Sequence, residues 1–230
     1  MKIFNHVGLI DPIEMNTVTI DGKRYYVTPT NKKHKSVTTV ISNNPAKKKS
    51  LMEWRKRVGE DKANRISTRS ATRGTRYHKL TENYINNEHD DTLYQDVPLV
   101  WLMFNSSRKI LDNINNVYLQ EAALYSDYLR IAGRVDCIAE YNGKLSIIDF
   151  KTSAEEKKEA YLYDYYVQET AYACMLQELY GLKVEQLVTI VACETGDVQV
   201  SIVPPKKEYF VKLQQYIREY EETYERNIGG

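Results

Sequence analysis

Cysteine is scarce. The three present, Cys137, Cys174 and Cys193, are scattered through 230 residues and form no CxxC pair. That count and spacing exclude a disulfide framework and a zinc ribbon, leaving buried free thiols as the expectation. No apolar run approaches the roughly 18–20 residues of a membrane span, so no membrane is expected as a partner. The first ten residues lack the apolar stretch of a signal peptide and the arginine-rich run of a transit peptide. A cytosol-like compartment is therefore expected. Excess charge is absent as well. Lys+Arg 32 against Asp+Glu 31 leaves +1, which rules out a histone-like polycation and an acidic tail. Repeats and low-complexity linkers are not seen. At 42% apolar and 27% charged, the chain reads as one domain over 1–230 with a core of its own.

The balanced total hides an asymmetry. Between Asp21 and Leu80 there are 17 Lys/Arg and 4 Asp/Glu, a local excess of +13. Such a segment suits a polyanion, although a solvated helix face gives the same pattern. Tyrosine is abundant, 19 in all, and tyrosines beside a basic groove can stack bases.

The order of elements predicts an α/β (α+β) fold with a central mixed sheet flanked by helices. Residues 1–90 read as an N-terminal hairpin and a basic helical region, and 91–230 as the remainder of the core. The hairpin is Thr17 to Val27 around Asp21-Gly22. Ser36 to Ile41 is β-branched and either extended or entering the next helix. Helices are expected over Pro45 to Ile66, Ala71 to Ile85 and Pro98 to Ile114. The last carries a stripe of Leu99, Leu102, Met103, Ser106, Ile110 and Ile114. Three strands follow (117–125, 129–140 and 144–150), then a helix from Glu155 to Leu179 stopped by Gly181. A hairpin over 185–203 and a helix from Lys206 to Arg226 close the chain.

The stretch from Gly133 to Lys151 is the most informative. Asn142-Gly143 is a type I′ hairpin signal. Pairing Tyr141 with Lys144 sets Asp136 opposite Asp149, on one face, with Lys151 two residues further along it. Val135, Cys137, Ala139, Ser146, Ile148 and Phe150 fall on the other, core-like face. Opposed like charges destabilise a sheet unless a cation, a shared proton or a basic partner compensates. Two hard oxygen donors suit Mg²⁺ or Mn²⁺. Arg134 and Lys151 balancing an exposed pair is the plainer alternative. His78 and Glu82, at i and i+4, share a helix face and offer an imidazole and a carboxylate to such a site.

Four pieces in order then resemble the PD-(D/E)xK nuclease superfamily, in its RecB-like exonuclease branch. They are Gly74-Thr75…His78…Glu82, Gly133-Arg134-Val135-Asp136, Ile148-Asp149-Phe150-Lys151-Thr152-Ser153 and Gln168-Glu169-Thr170-Ala171-Tyr172. Ser36-Val37-Thr38-Thr39-Val40 and Trp54-Arg55-Lys56-Arg57 extend the likeness upstream. Within that branch the chain is similar to mitochondrial genome maintenance exonucleases and their phage and bacterial relatives.

The resemblance implies a restriction-endonuclease-like core and a metal-dependent DNA exonuclease. It further implies end dependence, a single-strand preference and work in replication, recombination or repair, with proteins of those processes as partners. A duplex-resecting exonuclease and a silent DNA-end-binding module are the alternatives. Asp136, Asp149, the Phe150 carbonyl and His78 would hold Mg²⁺ or Mn²⁺. Lys151 would position the attacking water, and Gln168 and Tyr172 would position substrate or lysine. Glu82 and Glu121 would either hold a second metal ion or support the residues that hold the first. Arg73, Thr75, Arg76, Thr152 and Ser153 would contact phosphates. Lys47, Lys48, Lys49, Arg55, Arg57 and Arg69 would line a basic helical arch for a single strand, selective by width. Members of the branch that carry an iron–sulfur cluster hold it with four cysteines, so no cluster is expected here. A bacterial or phage cytoplasmic setting is expected, with a mitochondrial one as the alternative.

Overall fold

The computed structural model describes residues 2–90, 92 and 96–224. An eight-stranded sheet separates two helical layers. Strands β1 (Asn16–Ile20) and β2 (Lys23–Val27) form the expected hairpin, turning through Asp21 and Gly22, both at positive φ. β2 passes to the short β3 (Lys33–Ser36), which runs straight into helix α1 (Val37–Ser42). β4 (Ile114–Ser126), β5 (Ile131–Tyr141) and β6 (Lys144–Ser153) make an antiparallel meander. β6 then pairs in parallel with β7 (Gln186–Cys193), and β8 (Val198–Val203) closes the far edge.

Helices α5 (Glu159–Tyr180) and α6 (Lys207–Tyr224) cover one face together with α1. The final helix expected to end at Arg226 runs past the described residues, which stop at Tyr224. The other face is covered by α4 (Pro98–Leu111) and the C-terminal half of α3 (Glu60–Ile85). The basic region divides at Gly59 rather than after Ile66. Gly59 has φ 87°, which ends α2 (Pro45–Val58) and lets α3 start fresh and run unbroken through Gly74. The stripe expected on α4 is out of phase. Val100, Met103, Phe104, Ser107 and Leu111 are the buried residues, while Leu102 is exposed.

The sheet forks at β5. One edge of β5 pairs with β4 along its whole length. The other edge is shared: β3 holds Ile131 and Ala132, and β6 holds Cys137 to Tyr141. The segment from Gly133 to Asp136 therefore has no strand on that side. The hairpin register set by Asn142-Gly143 is as expected, but its ladder stops at Cys137↔Ile148, one pair short of Asp136 and Asp149. The two aspartates do not face each other as a ladder pair. Instead the amide of Phe150 donates to Asp136 Oδ2 at 2.8 Å, so the carboxylate takes the place of a lost backbone acceptor.

The faces of β5 also switch at this level. Val135 packs with Ile138 under α5, whereas Cys137 and Ala139 pack under α3 and α4. Val135 thus leaves the face expected for it. Glu121 stands opposite Asp136, between the pairs Gln120↔Cys137 and Ala122↔Val135, and its φ of 47° marks where β4 twists with its neighbour.

Gly133 is required by packing. A Cβ there would lie 2.8 Å from Cε1 of Tyr172, whose ring fills the fork from the α5 side. Gly133→Ala is expected to lose about 1–3 kcal/mol of stability through overpacking. Urea unfolding would measure it, and a double variant with Tyr172→Leu should recover part of the loss.

Candidate metal centre and its surroundings

The fork brings together residues from five elements. His78 comes from the middle of α3, Glu121 from the twisted point of β4 and Asp136 from the unpaired edge of β5. His78 Nδ1 lies 3.8 Å from Asp136 Oδ2 and 3.9 Å from Glu121 Oε1. One ligand atom from each lies within 4.8 Å of the others, a spacing that fits one divalent cation. These distances are too long for hydrogen bonds, so the groups converge on a common space instead of satisfying one another. That space is a cavity of about 480 Å³ walled also by Gly74, Thr75, Lys79, Glu82 and Arg134. Burial works against the His78 imidazolium, but Glu121 and Asp136 outweigh it and hold its pKa above the ordinary value.

Asp149 and Lys151 sit on the α5 side of the same gap. Asp149 is fully buried, and its two oxygens are engaged. Oδ2 meets the Lys151 ammonium, and Oδ1 accepts from Gln168 Nε2 at 3.0 Å. Burial pushes the Asp149 carboxyl up to about 6 against the opposing pull of Lys151. Lys151 is raised too: desolvation is outweighed by Asp149 and Asp136. A lysine held that way stays an ammonium at neutral pH and cannot take a proton from water. Tyr165 lies under its Nζ, 5.2 Å from ring centroid. Tyr172 is 2% exposed and sits four residues after Gln168 on α5. Gln168 thus backs Asp149 from α5, while the buried Tyr172 does not line the cavity.

The other expected contacts divide. Arg73 is buried and ion-paired with Glu194 after β7, and Arg69 reaches the same carboxylate at 3.1 Å. Lys47 pairs with Asp164 of α5 at 2.7 Å, and Lys48 bonds the Tyr224 hydroxyl. Arg55 is held by Glu60 and Asn64. These five cations serve the fold, and a strand would have to compete for them. Lys49 and Arg57 are exposed on α2. Thr75 donates back to the Ala71 carbonyl at the cavity wall. Thr152 stands at the end of β6 close to Gly74, with Ser153 next to it, and Arg76 lies half-buried one turn along α3. Glu82 walls the cavity but pairs with Lys79 at 3.1 Å. The Phe150 side chain is buried in the core beneath the site.

Glu169 was not legible. It is fully buried on α5, accepts from Thr189 of β7, and burial raises its carboxyl well above the usual range. It follows Gln168 directly, in a stretch whose pattern carries no mark for a buried acid. The pattern marks Glu121 as a second-metal or supporting carboxylate and not as the partner of His78, because its place there depends on the β4 twist.

The family model for the PD-(D/E)XK nuclease superfamily matches residues 34–228. The chain belongs to that superfamily. It is 30% identical over 128 residues to the mouse mitochondrial genome maintenance exonuclease 1, covering 53% of this chain and 38% of that protein. The human protein of the same name is 29% identical over 133 residues, covering 53% and 37%. The Xenopus tropicalis protein is 42% identical over 60 residues, covering 26% and 17%. The chain therefore spans well under half the length of these relatives. A solved structure described as a candidate exonuclease from Eubacterium rectale superposes with a TM-score of 0.42 at 9% identity, over 61% of this chain and 62% of that one. That likeness is too low to carry an argument.

Two carboxylates and an imidazole are a donor set that Mn²⁺ or Mg²⁺ can use. Replacing His78 by Ala, Glu121 by Gln or Asp136 by Asn should each weaken Mn²⁺ binding at least about tenfold in a paramagnetic-resonance titration. Because the His78 pKa is raised, the imidazole keeps its proton to higher pH than usual and must lose it to ligate. Mn²⁺ affinity in the wild type is therefore expected to climb as pH rises through neutrality. The His78→Ala protein should show a flatter rise over the same range.

Proposed function

We propose that this chain is a metal-dependent DNA exonuclease that acts on free single-stranded ends. The observation that carries this reading is the convergence of His78, Glu121 and Asp136 in one cavity beside the buried Asp149–Lys151 pair. A divalent ion held there supplies Lewis-acid stabilisation to phosphoryl oxygens. The protein's own groups do the rest. Lys151, kept charged by Asp149, orients a water and offsets negative charge on the transferring phosphoryl group. Gln168 and Tyr172 keep Asp149 in place. The Phe150 carbonyl belongs to this reading as a further oxygen donor, and Asp149 would join it only by giving up Lys151 or Gln168. Phosphate contacts from Thr75, Arg76, Thr152 and Ser153 would hold the backbone at the cavity mouth.

Single-strand preference is supported by the helical segment above the site. The start of α2 is tied to α5 and α6 through Lys47–Asp164 and Asn44–Glu219. The end of α3 lies on the opposite layer. The basic stretch between them, with no buried residue on α2, has to pass from one layer to the other. A passage beneath such a bridge admits one strand with a free end. Replication, recombination or repair in a bacterial or phage-infected cell is the setting that fits the sequence.

A time course with end-labelled linear single-stranded, circular single-stranded and duplex DNA, with Mg²⁺, Mn²⁺ or EDTA, tests the reading. Metal-dependent loss of the linear single strand alone is expected. Lys151→Ala should lower the rate by about 10²–10³ or more. Cutting of circles would sink the end dependence. In binding assays with the inactive Lys151→Ala protein, Lys49→Ala with Arg57→Ala should reduce the salt slope by about 1.4, the counterion release of two single-strand phosphates. An unchanged slope would remove these residues from the passage.

A further inference from the structure

The metal-centre cavity does not end at Asp136. A second cavity of about 570 Å³ lies against it, between β4 and the N-terminal segment Pro12 to Asn16. Glu121 and Arg134 line both spaces. The second volume lies within the range of ligand sites, ~300–1,000 Å³. Arg134 is therefore a post at the doorway between them, two residues before Asp136 on the unpaired edge of β5.

Its surroundings make Arg134 unusual. Carboxylates of Glu121 and Asp136 wall the near cavity, and Glu14 walls the far one. Yet among the described residues no hydrogen bond or ion pair of the Arg134 side chain is found, and the residue is exposed. Arg55 of α2 and Arg69 and Arg73 of α3, by contrast, each bond a carboxylate. A guanidinium that stands among acids without closing on any keeps its fork of donors available, and that fork matches two phosphate oxygens. The far cavity offers what a nucleoside needs beside it. Ile13 and Met15 are half-buried apolar surface for a base, and the exposed Asn16 supplies an amide for its edge.

We propose that Arg134 binds the phosphate next to the one being cut, and that the cavity between β4 and Pro12 to Asn16 receives the nucleoside attached to it. This rests on the nuclease reading above and extends it to a subsite for the end of the strand. The N-terminal segment, held to β4 by the bridge Ile13↔Ala123, is then one wall of a substrate site.

The test is calorimetric titration of the full chain with thymidine 5′-monophosphate, thymidine 3′-monophosphate and thymidine, with and without Mn²⁺. The wild type should bind one or both monophosphates more tightly than thymidine. Arg134→Ala should weaken monophosphate binding about tenfold or more and leave thymidine unaffected, since a charge-assisted contact is lost. Arg134→Lys should retain part of the preference, which also guards against a folding defect in the alanine variant. With linear single-stranded DNA, Arg134→Ala should raise KM by a similar factor and change kcat less. Equal affinity for monophosphate and nucleoside in the wild type, or unchanged monophosphate affinity in Arg134→Ala, would overturn the proposal. Should the wild type cut no DNA under any metal, the nuclease reading falls, and the titrations still decide the fate of Arg134.

Discussion

A lost backbone pairing underlies the site. Between Ile131–Ala132, held by β3, and Cys137, held by β6, four residues of β5 have a strand on one side only. Unpaired amides inside a fold are costly unless another acceptor is found. The Phe150 amide finds the Asp136 carboxylate, so the residue that closes the backbone account is also the one that faces His78 and Glu121. The same gap admits the Tyr172 ring over Gly133 and leaves Asp149 deep enough to need Lys151 and Gln168. Backbone topology, packing and charge are thus settled at one place, and changing any of the three disturbs the other two.

The electrostatics of the centre follow from unequal burial. Asp149, under α5, is desolvated and stabilises a permanent ammonium at Lys151. Asp136, Glu121 and His78, on the cavity side, keep partial access to solvent. Carboxylates separated by only a few side chains thereby meet different surroundings: one is paired with a cation of the protein, and the others face an open cavity. Sharing those tasks between the two sides of a sheet is possible because the fork joins them.

Much of this was legible in the chain. Asn142-Gly143 fixed the hairpin register, which the ladder follows from Tyr141 to Cys137. The motifs around His78, Asp136, Asp149 and Gln168 pointed to groups that do converge. What escaped was whatever depends on strands that separate or twist. A period of two carries no sign that β5 changes faces at Asp136, or that Glu121 swings toward α3. The partners of the basic residues were not legible, because charge in a sequence does not reveal what it pairs with. Asp164, Glu194 and Glu60, distant or near in the chain, claim Lys47, Arg73 and Arg55. The helix boundary was misplaced for a related reason, since Gly59 breaks the run by its backbone angle while Gly74 is absorbed where α3 passes Thr152.

The parallel contact of β3 with β5 joins Lys35 and Ser36 to Ile131 and Ala132, across most of a hundred residues. During synthesis the first hairpin and the basic helices leave the ribosome long before the strand that will receive them. The fork cannot exist until that strand arrives, and such non-local closure is slow. An incompletely made chain therefore carries the cations and the histidine but no assembled centre. Any cutting ability would arise in one late step, together with the completed sheet.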